Sequence, residues 1–158
     1  MDTKFKCLGN RTVVSVDTTS DTIVLGLDNG TRVCIGLFGH CCSSSYFTDE
    51  SLEEAQQLLE ARIQDVEDVE GEGGYEGGTR ILWSFLKFTT DKGHVTLDWR
   101  NDSNGYYSGY IVLSVDFGLK YPNDKNIGWL TLNGDGGISQ HDRDIVEHWG
   151  IKIPDLTS

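Results

Sequence analysis

The sequence predicts an α+β fold: one domain, mainly antiparallel sheet in hairpins and a meander, with one amphipathic helix and a short C-terminal helix. Three observations carry that prediction. Short β-branched runs broken by Asn-, Asp- and Gly-containing turns recur along the chain, the pattern of antiparallel strands. A single central segment has apolar residues at helical spacing over several turns. The 158 residues amount to one domain's worth, enough to bury about two thirds of the unfolded surface.

The first forty residues read as strands. "TVVSV" (12–16) and "TIVLGL" (22–27) are rich in β-branched residues. Asp28-Asn29-Gly30 then supplies the residues of a tight hairpin turn into "TRVCIGL" (31–37). "FGHCCSSSYFTDE" (38–50) has no period and reads as a loop. "SLEEAQQLLEARI" (51–63) follows as the amphipathic helix, with Leu52, Ala55, Leu59 and Ile63 on one face. Ser51 with Glu54 fits a capping box, and Thr48 or Asp49 is the alternative cap.

"IQDVEDVE" (63–70) is ambiguous between helix and strand. "GEGGYEGG" (71–78), with five glycines in eight residues, reads as a flexible loop. It is no P-loop, since it lacks the Gly-Lys-Ser/Thr ending and its charges are acidic. "RILWSFLKFTT" (80–90) is apolar on both faces and reads as a central strand. Asp91–Gly93 turns into "HVTLDWR" (94–100), whose Val95, Leu97 and Trp99 form a dry face. "NDSNG" (101–105) reads as a turn into "YYSGYIVLSVDF" (106–117), closing an antiparallel meander over 80–117. In the tail, 118–126 is a loop, Ile127–Asn133 a strand and Gly134–Gly137 a turn. "SQHDRDIVEHWG" (139–150) is a short helix capped by Ser139 or Asp142 and closed by Gly150.

Composition narrows function. The net charge of −12 comes from 25 acidic against 13 basic residues. That balance opposes sequence-independent binding to nucleic acid, which needs clustered Lys and Arg against phosphate. No run approaches the ~18 apolar residues of a membrane span, and the N-terminus lacks a signal-peptide core. The expected compartment is the cytoplasm, where Cys7, Cys34, Cys41 and Cys42 stay reduced.

"GHCCSSSYF" and the later run "LWSFLKFTTDKGHVTLDWRNDSNGYYSGYIVLSVDF" resemble a family of small proteins found mostly in bacteriophages and known only as a domain of unknown function. Its marks here are Cys41-Cys42, Trp83–Lys87, Lys92-Gly93 with Val95, Thr96 and Trp99, and the turn Ser103–Ser108. The resemblance runs from Leu8 to Phe117. Ser43 stands where the family commonly has an acid after the Cys pair. The resemblance implies a phage origin and a small α+β domain, and it implies no activity.

Candidate chemistry falls in two places. His40, Cys41 and Cys42, with His94 or Cys34 joining from elsewhere, are the residue types of a zinc site or of an activated thiol. Consecutive residues of an extended segment point to opposite sides, so adjacency alone builds neither. The reading is therefore no enzyme, no metal and no cofactor. The stronger candidate is the aromatic turn: Tyr106, Tyr107 and Tyr110 to stack a base, Asn101 and Asn104 to read its edge, Arg100 to pair a phosphate. The competing use of the same residues is a hairpin turn with a packed tyrosine pair.

Two functions follow as expectations. The first is a phage protein that binds and sequesters a small nucleotide signal of host defence, as an oligomer with pockets between subunits. The second is an acidic mimic of nucleic acid that occupies a basic host defence protein. For the second, residues 49–76 hold eleven acids against Arg62 alone.

Overall fold

The computed structural model describes residues 2–39, 44–76, 79–103 and 109–156. Among them the chain builds two antiparallel sheets. The first joins β1 (Val13–Thr18), β2 (Thr22–Leu27), β3 (Arg32–Gly39), β8 (Gly109–Asp116) and the short β9 (Leu130–Thr131), in the order β1-β2-β3-β8-β9. The second joins β4 (Ser44–Phe47), β5 (Ile63–Glu76), β6 (Thr79–Thr90) and β7 (Gly93–Ser103), in the order β4-β7-β6-β5. The α+β class and the predominance of antiparallel sheet are as the sequence predicts.

Period-two alternation sends one face of each sheet into one shared core. Ile23, Leu25, Val33, Ile35 and Val115 of the first sheet meet Val66, Leu86, Phe88 and Leu97 of the second, all fully buried. The N-terminal 3₁₀ segment Thr3–Leu8 adds Phe5, Cys7 and Leu8 to this core. Helix α2 (Gln140–His148) adds Val146. Its cap is Ser139, whose hydroxyl accepts from the Asp142 amide, and Gly150 follows in the left-handed region. No helix of the described residues is long and apolar enough to cross a membrane.

The structure corrects several expectations. The central helix is short: α1 spans Asp49–Glu54, and a 3₁₀ turn, Ala55–Leu58, ends it. Thr48 is the cap, and Ser51 is buried, its hydroxyl taking the Asp98 amide proton at 2.7 Å. Glu60 then turns left-handed (φ 66°), and residues 60–63 hydrogen-bond to the chain leading into β1. That pairing buries Ile63 in a strand, while Leu59, expected on the apolar face, stays exposed. Tertiary pairing overrides helix propensity here.

"GEGGYE" is strand and not loop: β5 continues through it along β6, with an irregularity between Glu70 and Gly73. A side chain at Gly71 would meet the Phe85 ring at 2.7 Å and the Trp83 carbonyl at 2.8 Å, so close approach requires the glycine there. Phe38, Gly39 and Ser44–Phe47, expected in a loop, are strand as well. The tail strand shrinks to Leu130–Thr131.

The largest correction concerns the meander. β6 and β7 pair as expected through the Asp91–Gly93 turn, but β8 does not pair with β7. It crosses to the first sheet and lies along β3, Gly109 opposite Gly39. Asn101–Ser103, expected as a turn, extend β7. Ser103 thus ends β7 in the second sheet and Gly109 opens β8 in the first, while residues 104–108 of the expected aromatic turn lie outside the described residues.

Candidate functional site

Two connections change sheets at the same corner. The end of β3 lies beside the start of β8, and the start of β4 lies beside the end of β7, Ser44 opposite Asp102. Asn101 fastens this corner from inside. Its side chain is 1% exposed and its amide donates to the Ser45 hydroxyl at 2.8 Å. Ser45 in turn donates to the Phe38 carbonyl at 3.2 Å, linking β7, β4 and β3.

Arg100 faces the other way, because neighbouring strand residues alternate sides. On the outer face of the second sheet it stands opposite Tyr46 on one side and Trp83 on the other. Its guanidinium lies 5.6 Å from the Trp83 ring centroid, a cation–π contact. Trp83 is 41% exposed, so the stacked pair is accessible from solvent. Two depressions adjoin at Arg100. A small one, about 100 Å³, is lined by Trp83, Phe85, Asp98 and Arg100. A larger, open one of about 360 Å³ runs over Asp98 and Arg100 to Tyr46–Glu50.

Acids surround this arginine. Asp98 stands two residues before it and Asp102 two after, on the same strand face, and Asp49 and Glu50 line the larger depression. The Tyr46 hydroxyl donates to Asp102 at 3.2 Å. Burial pushes the Tyr46 phenol above its usual range, and the Asp102 charge and hydrogen bond push it the same way. The face thus offers one cation, one planar stack and several acceptors.

Of the predicted site residues among the described ones, Arg100 alone lies at this surface. Tyr110 is on the outer face of the other sheet, stacked on its cross-strand partner Phe38 with centroids 6.0 Å apart. Asn101 is inside the corner. His94 lies seven residues from Asn101 along β7, roughly 20 Å at strand rise, where its ring meets the Thr89 hydroxyl at 3.3 Å. Asn104, Tyr106, Tyr107, His40, Cys41 and Cys42 fall outside the described residues.

Cys34 is half-buried opposite Ser114 in the first sheet. Burial raises its thiol, and the Ser114 hydrogen bond partly opposes that. No three His, Cys, Asp or Glu side chains gather as around a metal ion among the described residues. Trp83, Tyr46 and Asp98 were missed as site residues. Counting back from the Asp91–Gly93 turn would have set Trp83 opposite Arg100 and Phe85 opposite Asp98.

Fold and face together define a small two-sheet α+β domain with an exposed aromatic–arginine stack. Residues 6–113 match the model of a family described as a domain of unknown function (DUF7448), and the chain belongs to that family. Strand β9 and helix α2 lie beyond the matched residues. No curated protein and no solved structure matches the chain.

Proposed function

We propose that this is a non-enzymatic binding protein that takes a small nucleotide-like molecule on the outer face of the second sheet. The observation that supports it is the Arg100–Trp83 stack at the meeting of two depressions. A base edge carrying an acceptor beside an amino donor suits Arg100 and Asp98, since a guanidinium donates to the acceptor and a carboxylate accepts from the amino group. An aromatic ring beside them supplies sequence-tolerant stacking. The acids around Arg100 oppose several phosphates, so the ligand carries few charges on the side that enters. For a protein of phage origin, the role that suits such binding is sequestration of a nucleotide signal of host defence in the infected bacterial cytoplasm.

A specific feature favours the second reading, an acidic mimic bound to a basic defence protein. Glu53, Glu54, Glu60 and Glu67 are all exposed along α1 and β5. One experiment separates the two. Native mass spectrometry and thermal shift, with a panel of nucleosides and mononucleotides, should find a ligand whose effect vanishes in Arg100→Ala and Trp83→Ala. A mimic instead ignores those changes and loses a protein partner, with strong salt dependence, in Glu53→Lys/Glu54→Lys. If neither pair of variants alters any binding, both readings are wrong.

A further inference from the structure

We propose that the cleft between the N-terminal 3₁₀ segment and the tail binds a small organic phosphate. This cleft holds about 440 Å³ and is lined by Lys6, Arg143 and Lys152, with Ile138, Ile153 and Leu156 as its apolar wall. That volume is in the range of small-molecule sites, which combine apolar walls with a few placed polar groups. Asp155 is the one acid lining it, so the cleft carries three cations against one carboxylate.

The surplus is local and runs against the chain as a whole, whose net charge is −12. The depression at Tyr46–Glu50 sets Asp49, Glu50 and Asp98 against Arg100. A third, beside His94, sets Glu67 against Lys87. Of these described clefts, the tail cleft is the one with a positive excess.

The fold holds the cations in place. Gly136, left-handed at φ +84°, lets the turn before α2 press on Lys6: a side chain there would come within 3.0 Å of Lys6 Cγ and 3.1 Å of Cε. The lysine stem therefore runs along the turn, and Lys6 lines the cleft. Arg143 projects from the first half of α2. Its partner Glu147, at 3.1 Å, is about half exposed, and such an i,i+4 surface pair holds it only weakly. Lys6 and Lys152 make no ion pair among the described residues.

A phosphate suits a cleft lined by three cationic side chains, because its oxygens can accept from an arginine fork and from ammonium groups together. A long polyanion suits it poorly, since most of its length would lie against a chain whose net charge is −12. Ile138, Ile153 and Leu156 call for an apolar or flat body on the phosphate. This site is independent of the outer-face reading above.

The test is a residue-resolved NMR titration of the full chain with adenosine 5′-monophosphate, inorganic phosphate and adenosine. The nucleotide should shift the amides of Lys6, Gly137, Ile138 and Lys152. It should bind more tightly than inorganic phosphate, and adenosine should leave these amides in place. Lys6→Gln and Lys152→Gln should each weaken the nucleotide about tenfold, the scale of one charge-assisted hydrogen bond, while Arg100→Ala leaves this binding unchanged. Any of three results would overturn the proposal: no movement of these amides at millimolar nucleotide, full affinity in both lysine variants, or equal affinity for inorganic phosphate and the nucleotide. Shifts confined to Asp98–Arg100 would likewise overturn it, while supporting the outer-face reading.

Discussion

The outer face of the second sheet and the cleft beneath the tail hold their cations in opposite settings. On the sheet face a lone arginine is fixed by strand pairing, stacked on Trp83, and enclosed by Asp98, Asp102, Asp49 and Glu50. In the cleft two lysines and an arginine come from three separate segments and face a single lining acid. The first arrangement can read an edge by direction, donor beside acceptor, but has little net attraction for anions. The second attracts an anion strongly and reads little beyond its charge and an apolar wall. The contrast teaches that net charge governs only long-range encounters. At the distance of a bound phosphate, the neighbours within a few ångströms decide, because salt screens the rest.

The most disruptive way to break this comparison is to remove what both regions stand on. Phe88→Ala empties a fully buried position of the shared core and should cost about 3–5 kcal/mol, read as a fall in the urea midpoint. Both surfaces should then lose ligand binding together.

Alkaline pH acts more selectively. Burial raises the Cys7 thiol from 9.0 to about 11. The unfolded chain therefore releases this proton first, and between pH 9 and about 11 it binds fewer protons than the folded chain. The contribution is complete below 9 and gone above 11, a loss of roughly 2–3 kcal/mol at 1.36 kcal/mol per pKa unit. Because Cys7 follows Lys6, the cleft side should loosen first. Denaturant midpoints across this window should fall for the wild type and stay flatter in Cys7→Ala.

Asn101→Ala should cost about 1–3 kcal/mol by removing a buried side chain and its hydrogen bond to the half-buried Ser45 hydroxyl. Tyr46 and Arg100 adjoin that corner, so amide exchange should rise at the sheet face and stay level around α2. The smallest effect sharpens the comparison most. Arg100→Ala and Lys152→Gln should each move stability by less than about 0.5 kcal/mol, yet abolish or weaken binding at one region only. Equal losses at both regions in either variant would join them into a single site.

How much of this was legible beforehand depends on the range of the interactions. Strands β1 to β3 and the β6–β7 hairpin follow from alternation and the turns at Asp28–Gly30 and Asp91–Gly93, which are local signals. The α2 cap and its closing glycine are equally local. What failed was long-range. Residues 60–63 are drawn from helix into pairing by Arg11 and Val13, and Gly71–Glu76 are held as strand by β6. Tyr110 left the aromatic turn for another sheet because its partner is Phe38, far away in sequence. The tail cleft was illegible for the same reason, since Lys6 and Lys152 come together only through the packing of the two ends of the chain.

The pairing of β3 with β8 also sets an order of events during synthesis. β1, β2 and β3 can pair as soon as they leave the ribosome, since each neighbours the next. The far edge of β3 then waits, its amides and carbonyls open, until Gly109–Asp116 has been made. An open strand edge is a template for a second copy of the same chain, and non-local closure of this kind is slow. The nascent protein is therefore most exposed to aggregation while its middle third is being translated, and cooler expression, which weakens hydrophobic association, should raise the soluble yield.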